Sequence, residues 1–333
     1  MGYRNHDYLL HFLEPDMPAI SCSAPGKVIL CGEHAVVYQK PAIAVPVFEG
    51  STKCSIVAKP NSPHDETIII APNIALKCFL SCLVEKHPIR VAINLVLEKI
   101  NLDHLPVCEI RINSSLPTAA GLGSSASTSV AIIRALSTFL GYSFSDDEVN
   151  QLAFEIEKIH HGTPSGIDNT VITYAKTLFF NKGQPFEFIV PGKPLTLVIA
   201  DTGIKSSTSK AVAEVRQGYL ADQSKYITLF NQIGDLVLSA KESFIKGDFQ
   251  LLGKTLTENH LLLREIGVSC DKLDSLVDSA LSHGALGAKL SGGGQGGNMI
   301  ALVDSDHAES IASALISSGA LKTLITRVPA KGI

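Results

Sequence analysis

The sequence predicts an α+β fold in two domains, and three observations carry that reading. At 333 residues, with 45% hydrophobic and 18% charged, the chain can build more than one core. Strand-like segments crowd the first third and are followed by amphipathic helices. Beyond Pro191 and Pro194, short strands flank a long helical block and do not alternate with helices one by one. The expected division is residues 1–192 and 193–333.

Residues 19–37 (AISCSAPGKVILCGEHAVV) and 41–59 (PAIAVPVFEGSTKCSIVAK) are β-branched, alternate in part and are broken by Pro and Gly, so they read as sheet strands. VCEIRINSSLP, residues 107–117, alternates cleanly up to its proline. Residues 123–139 and 145–160 read as helices. The second opens on SFSDDEV, where Ser145 and Glu148 have the spacing of a capping box, and Gly162 and Pro164 are expected to stop it. Residues 171–190 return to strand-like composition, and LTLVIADTG at 195–203 reads as a short buried strand. Helical patterns dominate 205–283. The tail, with GAKLSGGGQGGNMIALVD, a helical stretch near 306–318 and TLITRVP, reads as strand, glycine turn, strand, helix, strand.

Composition excludes several functions. The formal net charge is −4, without a basic stripe, so nucleic acid is not an expected partner. The first eighteen residues, MGYRNHDYLLHFLEPDMP, interleave charged and apolar groups and lack the core of a signal peptide; no segment reaches the roughly 18 apolar residues of a membrane span. A cytoplasmic protein without membrane partners is expected. Seven cysteines form no C-x-x-C pair and read as reduced thiols; Cys78 and Cys82 are four apart but lack a second ligand pair, so no zinc site is assigned.

Chemistry concentrates in four places. PTAAGLGSSASTS, from residue 117, sets glycines and hydroxyls before a helix. It lacks the lysine of a Walker loop and the first-βαβ context of a dinucleotide fingerprint. Unpaired amides at a helix start favour an anion, while small residues also permit close packing; the loop alone leaves both readings open. SGGGQGG, residues 291–297, costs backbone entropy that a plain strand connection does not justify, and so points to close approach by a ligand or another backbone. Between them, EIEKIHHGTPSGIDN places Glu157 near a helix end and Asp168 in a loop after a Pro/Gly turn, two carboxylates suited to a metal and to a base. APGKVILCGEHAVV adds Lys27, Glu33 and His34. Taken singly, these are also what a solvated surface would show.

Together, APGKVILCGEHAVVYQKPAIA, the 121–126 glycine loop, HHGTPSGIDN and the 291–297 loop resemble the GHMP kinases, named for galactokinase, homoserine kinase, mevalonate kinase and phosphomevalonate kinase; the first and third of these segments are most similar to the mevalonate kinase branch. The resemblance implies a two-domain fold, the N-terminal part like ribosomal protein S5 domain 2 and the C-terminal part ferredoxin-like. It implies ATP and Mg²⁺, with mevalonate as phosphoryl acceptor; an ATP-dependent decarboxylase of a phosphorylated mevalonate, or another small-molecule kinase of the same family, stands as the alternative. By the same match, Pro117, Ala120, Gly121, Leu122, Gly123, Ser124, Ser125 and Ala126 would hold ATP, and Ser125 and Glu157 the metal. Asp168 takes the base position, assisted by Lys27. Glu33, His34, Lys205, Thr208, Gly293 and Gly294 would join them around the substrate. An exposed apolar helix face is read as a route to a homodimer. Two departures from the family pattern stand out: Ser291, Gly293 and Gln295 in the third motif, usually close to TGAGGGG, and Gln39-Lys40 where a Gly often precedes the proline.

Overall fold

The computed structural model describes residues 19–62, 64–116, 121–161 and 164–330. The N-terminal part runs β1 (Ile20–Cys31), β2 (Ala42–Ala58), β3 (Ile68–Ala71), β4 (Leu76–Phe79), α1 (Pro88–Lys99), β5 (Cys108–Ser114), α2 (Ser124–Phe139), α3 (Asp146–His161), α4 (Ile167–Tyr174), β6 (Leu178–Phe180) and β7 (Glu187–Phe188). The C-terminal part runs β8 (Leu195–Asp201), α5 (Thr208–Ala221), α6 (Gln223–Lys246), α7 (Phe249–Ile266), α8 (Asp271–Ser282), β9 (Gly287–Ser291), β10 (Asn298–Val303), α9 (Ala308–Ser317) and β11 (Lys322–Val328).

The first sheet has the order β4-β3-β5-β2-β6-β7, with β1 also paired to β2. All its pairings are antiparallel except β3 with β5. β1 shows why its sequence changes character midway. Residues 20–24 alternate between more and less exposed, whereas Val28–Cys31 are buried without a break. There the strand is covered on both faces and no polar side is needed. One core fills the space between this sheet and α1, α2 and α3, drawing on Ile56, Ile93, Ile110, Val130 and Ile133. A larger one joins Val28, Leu30, Ile43 and Val45 to Ile199, Phe230, Leu256, Leu276 and Ile300. The two sheets therefore share apolar packing.

The second sheet has the order β11-β8-β10-β9, all antiparallel. Read in chain order as strand, helices, strand, strand, helix, strand, this is the split β-α-β arrangement of a ferredoxin-like fold.

The capping box forms as expected: Ser145 Oγ accepts from the Glu148 amide at 3.3 Å, and a Glu148 oxygen accepts from the Ser145 amide at 3.0 Å. Two expectations are corrected. Residues 171–174 are the end of α4, not strand; Val171, Ile172 and Thr173 have strand propensity, but all are buried, and tertiary packing overrides it. Asp168 consequently sits in the first turn of a helix, not in a loop. Residues 60–106, to which the sequence pattern assigns no elements, hold β3, β4 and α1. Among the described residues, no helix is long and apolar enough to cross a membrane.

Candidate active site

The site is assembled where β1 passes beneath the starts of α2 and α4. A register shift between Pro25 and Gly26 interrupts the β1/β2 ladder just before Lys27, and such a bulge re-aims the following side chains. Lys27 is buried and its Nζ lies 3.1 Å from Asp168 Oδ1. The Asp168 side chain keeps 32% exposure, so it can still be reached from outside. Its place in the first turn of α4, after Gly166 in a left-handed conformation, sets it where the helix dipole favours negative charge.

The first glycine loop leads into α2, whose cap is Gly123 at φ 70°. A Cβ on Gly123 would lie 2.8 Å from Ile172 Cδ1 and 3.0 Å from Lys27 Cγ, so this glycine is required by its neighbours. Gly121, at φ 76°, is exposed, and a Cβ there would meet nothing within 4 Å. The Leu122 carbonyl accepts from the Lys27 amide at 3.0 Å and pins the loop to β1. Leu122 and Ala126 are buried; Ser124 and Ser125 are partly open at the helix start, where amides lack partners within the helix. Pro117 and Ala120 lie outside the described residues.

Ser125 Oγ donates to Glu157 Oε1 at 2.7 Å. Glu157 is 2% exposed, which removes the solvated-helix reading of it. A hydroxyl and a carboxylate brought together beside the first glycine loop are hard oxygen donors, and they fit Mg²⁺.

Glu33 and His34 are also buried, where a Glu-His pair read alone would be surface. Glu33 pairs with Lys289, at the centre of β9, in an ion pair whose side chains are 2% and 0% exposed. Sequence reasoning missed Lys289. The available signal was a lysine inside a continuously apolar strand, GAKLS, which burial obliges to find a counter-charge. Burial raises the Glu33 carboxyl above the usual range, while the Lys289 ammonium and the Glu33 and Gly292 amides pull it back. His34 Nε2 lies 2.9 Å from the Gly293 carbonyl, and since a carbonyl only accepts, the proton sits on Nε2. Burial lowers its pKa to about 4.

That value sets an expected pH dependence. The unfolded chain protonates this histidine near 6.5 and the folded chain near 4, so its contribution is fully present above 6.5 and is lost as pH falls. The loss for His34 is on the order of 3 kcal/mol. His260, also lowered to about 4 by burial, adds in the same direction, and the raised Glu33 opposes them. Urea unfolding at pH 7, 5.5 and 4.5 should show stability falling with pH, more shallowly in His34→Gln; equal slopes in the two proteins would refute the assignment.

The second glycine loop closes the far side. A Cβ on Gly292 would come within 3.9 Å of Gly121 Cα, so the two glycine loops face each other. Gly293 would meet Thr208 Cα at 2.9 Å, which explains why Ala is absent there: α5 starts too close for a methyl group. Gly294 lies under the Val268 carbonyl, and its own carbonyl accepts from Ser206 Oγ. Gln295 has φ 58°, a conformation that suits the glycine of the family pattern; its amide donates to the Val268 carbonyl at 2.7 Å and its side chain to Glu214. Ser291 retains a hydroxyl, which donates to the Ile29 carbonyl at 3.0 Å. Thr208 therefore joins the cluster through its Cα and its hydroxyl, which would lie 3.1 Å from a Cβ on Gly293, whereas Lys205 is exposed on the segment before α5, unlike the buried Lys27, Glu33 and His34.

Comparisons with known proteins place this geometry. Residues 86–176 match the family model described as GHMP kinases N terminal domain, and residues 240–321 match GHMP kinases C terminal. Mevalonate kinase of Pyrococcus furiosus is 33% identical, with 94% of this chain and 97% of that protein covered. That of Pyrococcus horikoshii is 36% identical at the same coverage. The crystal structure of L. major mevalonate kinase in complex with R-mevalonate is similar with a TM-score of 0.82 and 33% identity, covering 94% of this chain and 97% of that one. Methanococcus jannaschii mevalonate kinase gives a TM-score of 0.82 at 27% identity, covering 96% and 100%.

Proposed function

The chain belongs to the GHMP kinase family, and from that premise we propose that it transfers the γ-phosphoryl group of ATP to the 5-hydroxyl of mevalonate. The observation that carries the reading is the Lys27–Asp168 pair, 3.1 Å apart, packed against the glycine that caps α2. It couples a carboxylate and a cation to an anion-binding helix start in one cluster. The relatives' names and the R-mevalonate complex support mevalonate as acceptor.

In this mechanism the amides and hydroxyls from Gly121 to Ala126 hold the phosphates, and the exposed Gly121 lets them approach the main chain. Ser125 and Glu157 would hold Mg²⁺, which supplies charge neutralisation on the phosphates. Asp168 accepts the proton of the 5-hydroxyl as that oxygen bonds to the γ-phosphorus and the bond to the ADP oxygen breaks. Lys27 offsets negative charge gathering on the transferred group and fixes Asp168 in place. Glu33 and His34 bind the substrate, with Gly293, Gly294, Thr208 and Lys205 on its other side. The same reading divides the chain at 192/193; the break between β7, ending at Phe188, and β8, starting at Leu195, supports that division.

The test is direct. The protein is incubated with ATP and Mg²⁺ and, separately, mevalonate, phosphomevalonate, diphosphomevalonate, homoserine or galactose, and products are identified by mass. Phosphomevalonate with stoichiometric ADP is expected from mevalonate alone, and EDTA should abolish it. Release of CO₂ from a phosphorylated mevalonate would overturn the kinase reading.

A further inference from the structure

The pair formed by Glu33 and Lys289 links residues 256 positions apart. Burying two charges costs about as much as their attraction returns, so stability is a weak reason for such a pair. Its surroundings sharpen the question. The titratable groups facing it are Cys31, His34 and His260, and burial keeps all three uncharged at neutral pH: the thiol is pushed up to about 12 and both imidazoles down to about 4. Beyond His260, Asp274 is paired with Arg264 at 3.0 Å. The ammonium that balances Glu33 is thus that of Lys289, itself fixed by donating to the Leu290 carbonyl at 2.6 Å.

The ion pair uses only Oε1 of Glu33. Oε2 is buried without a hydrogen-bond partner among the described residues, and so is Nδ1 of His34, the next residue. With its proton on Nε2, His34 presents Nδ1 as an acceptor. The turn therefore holds two buried acceptors. An unpaired buried acceptor is costly, and a hydroxyl relieves that cost where a carboxylate would add to it.

We propose that Lys289 is a positioning residue of this site: by engaging Oε1 it turns Oε2 of Glu33, together with Nδ1 of His34, toward a substrate hydroxyl. The inference rests on the mevalonate kinase reading and deepens it, because it assigns the turn to hydroxyl-bearing substrate and excludes the substrate carboxylate from it. Without the ammonium only the Glu33 and Gly292 amides offset desolvation, and Glu33 takes up a proton at higher pH.

Steady-state kinetics of the full chain test this across pH 6 to 9. Lys289→Met should raise KM for mevalonate at least ~10-fold, with KM for ATP within ~2-fold, and should move the pH at which mevalonate KM begins to rise to a higher value. Lys289→Arg should restore that pH toward wild type. A Lys289→Met enzyme with wild-type mevalonate KM and pH profile overturns the proposal, as does a fall in kcat alone. If Lys289→Met does not fold, the double variant Glu33→Gln/Lys289→Met, which buries no lone charge, takes its place: a raised but pH-independent mevalonate KM supports the proposal, and an unchanged KM overturns it. Wild-type enzyme that does not turn over mevalonate overturns the functional reading itself, and this inference with it.

Discussion

Asp168→Asn is expected to lower kcat for mevalonate by about three orders of magnitude while leaving the thermal unfolding midpoint within a few degrees of wild type. The amide has the shape of the carboxylate but cannot accept the hydroxyl proton. The stability cost stays small because the Asp168 side chain is 32% exposed and the asparagine oxygen still accepts from the buried Lys27 ammonium; a loss on the order of 1 kcal/mol is expected. Lys27→Met tests the partner. Lys27 has 7% side-chain exposure, so its loss removes both an electrostatic contribution and the contact that orients Asp168. If the two residues act as one unit, the double variant should be scarcely slower than Asp168→Asn. Multiplicative losses would mean that they act separately. An Asp168→Asn enzyme that folds and retains wild-type kcat would remove the assigned base.

How much of this site is legible in the sequence depends on how far apart its parts lie. The Ser145–Glu148 cap is local, and its spacing suffices. Ser125 and Glu157 emerge as metal ligands from the family resemblance; their 2.7 Å contact across two helices is not visible in either motif alone. The Glu33–Lys289 pair is only half legible: a lysine inside an apolar strand signals that a counter-charge is needed, but nothing local to Glu33 indicates that its own arrives on a strand of the second sheet. Asp168 stands out in the sequence but reads as a loop residue, since Gly166 looks like part of a turn and is in fact the left-handed cap of a short helix. The unusual third motif shows the converse. Gly293 and Gln295 are visible as departures, and only the packing of α5 against Gly293 and the positive φ of Gln295 give them physical content.

The second large effect is expected at Gly123→Val, where the first glycine loop meets the Lys27–Asp168 pair. Its φ of 70° is left-handed, which costs an L-residue about 1–2 kcal/mol and a β-branched one more. The new Cβ would stand 2.8 Å from Ile172 Cδ1, a side-chain end that can rotate away, and 3.0 Å from Lys27 Cγ, nearer the backbone, so the two methyl groups beyond it press chiefly on Lys27. Displacing Lys27 disturbs its 3.1 Å pair with Asp168, and the strained cap disturbs the amides at the start of α2. A displacement on the order of 1 Å at reacting groups can cost about 100-fold, so kcat/KM for ATP should fall by at least that factor. Gly121→Ala separates backbone conformation from collision. It shares a positive φ of 76°, but among the described residues its Cβ would meet nothing within 4 Å, so in urea unfolding it should lose little beyond the conformational cost, while its methyl, standing where the phosphates approach, should raise the KM for ATP. Kinetics with varied ATP, alongside urea unfolding of both variants, decide the matter. Equal stability losses in the two would show that the left-handed backbone matters and the contact with Ile172 and Lys27 does not, and the coupling of the loop to the Lys27–Asp168 pair would have to be abandoned.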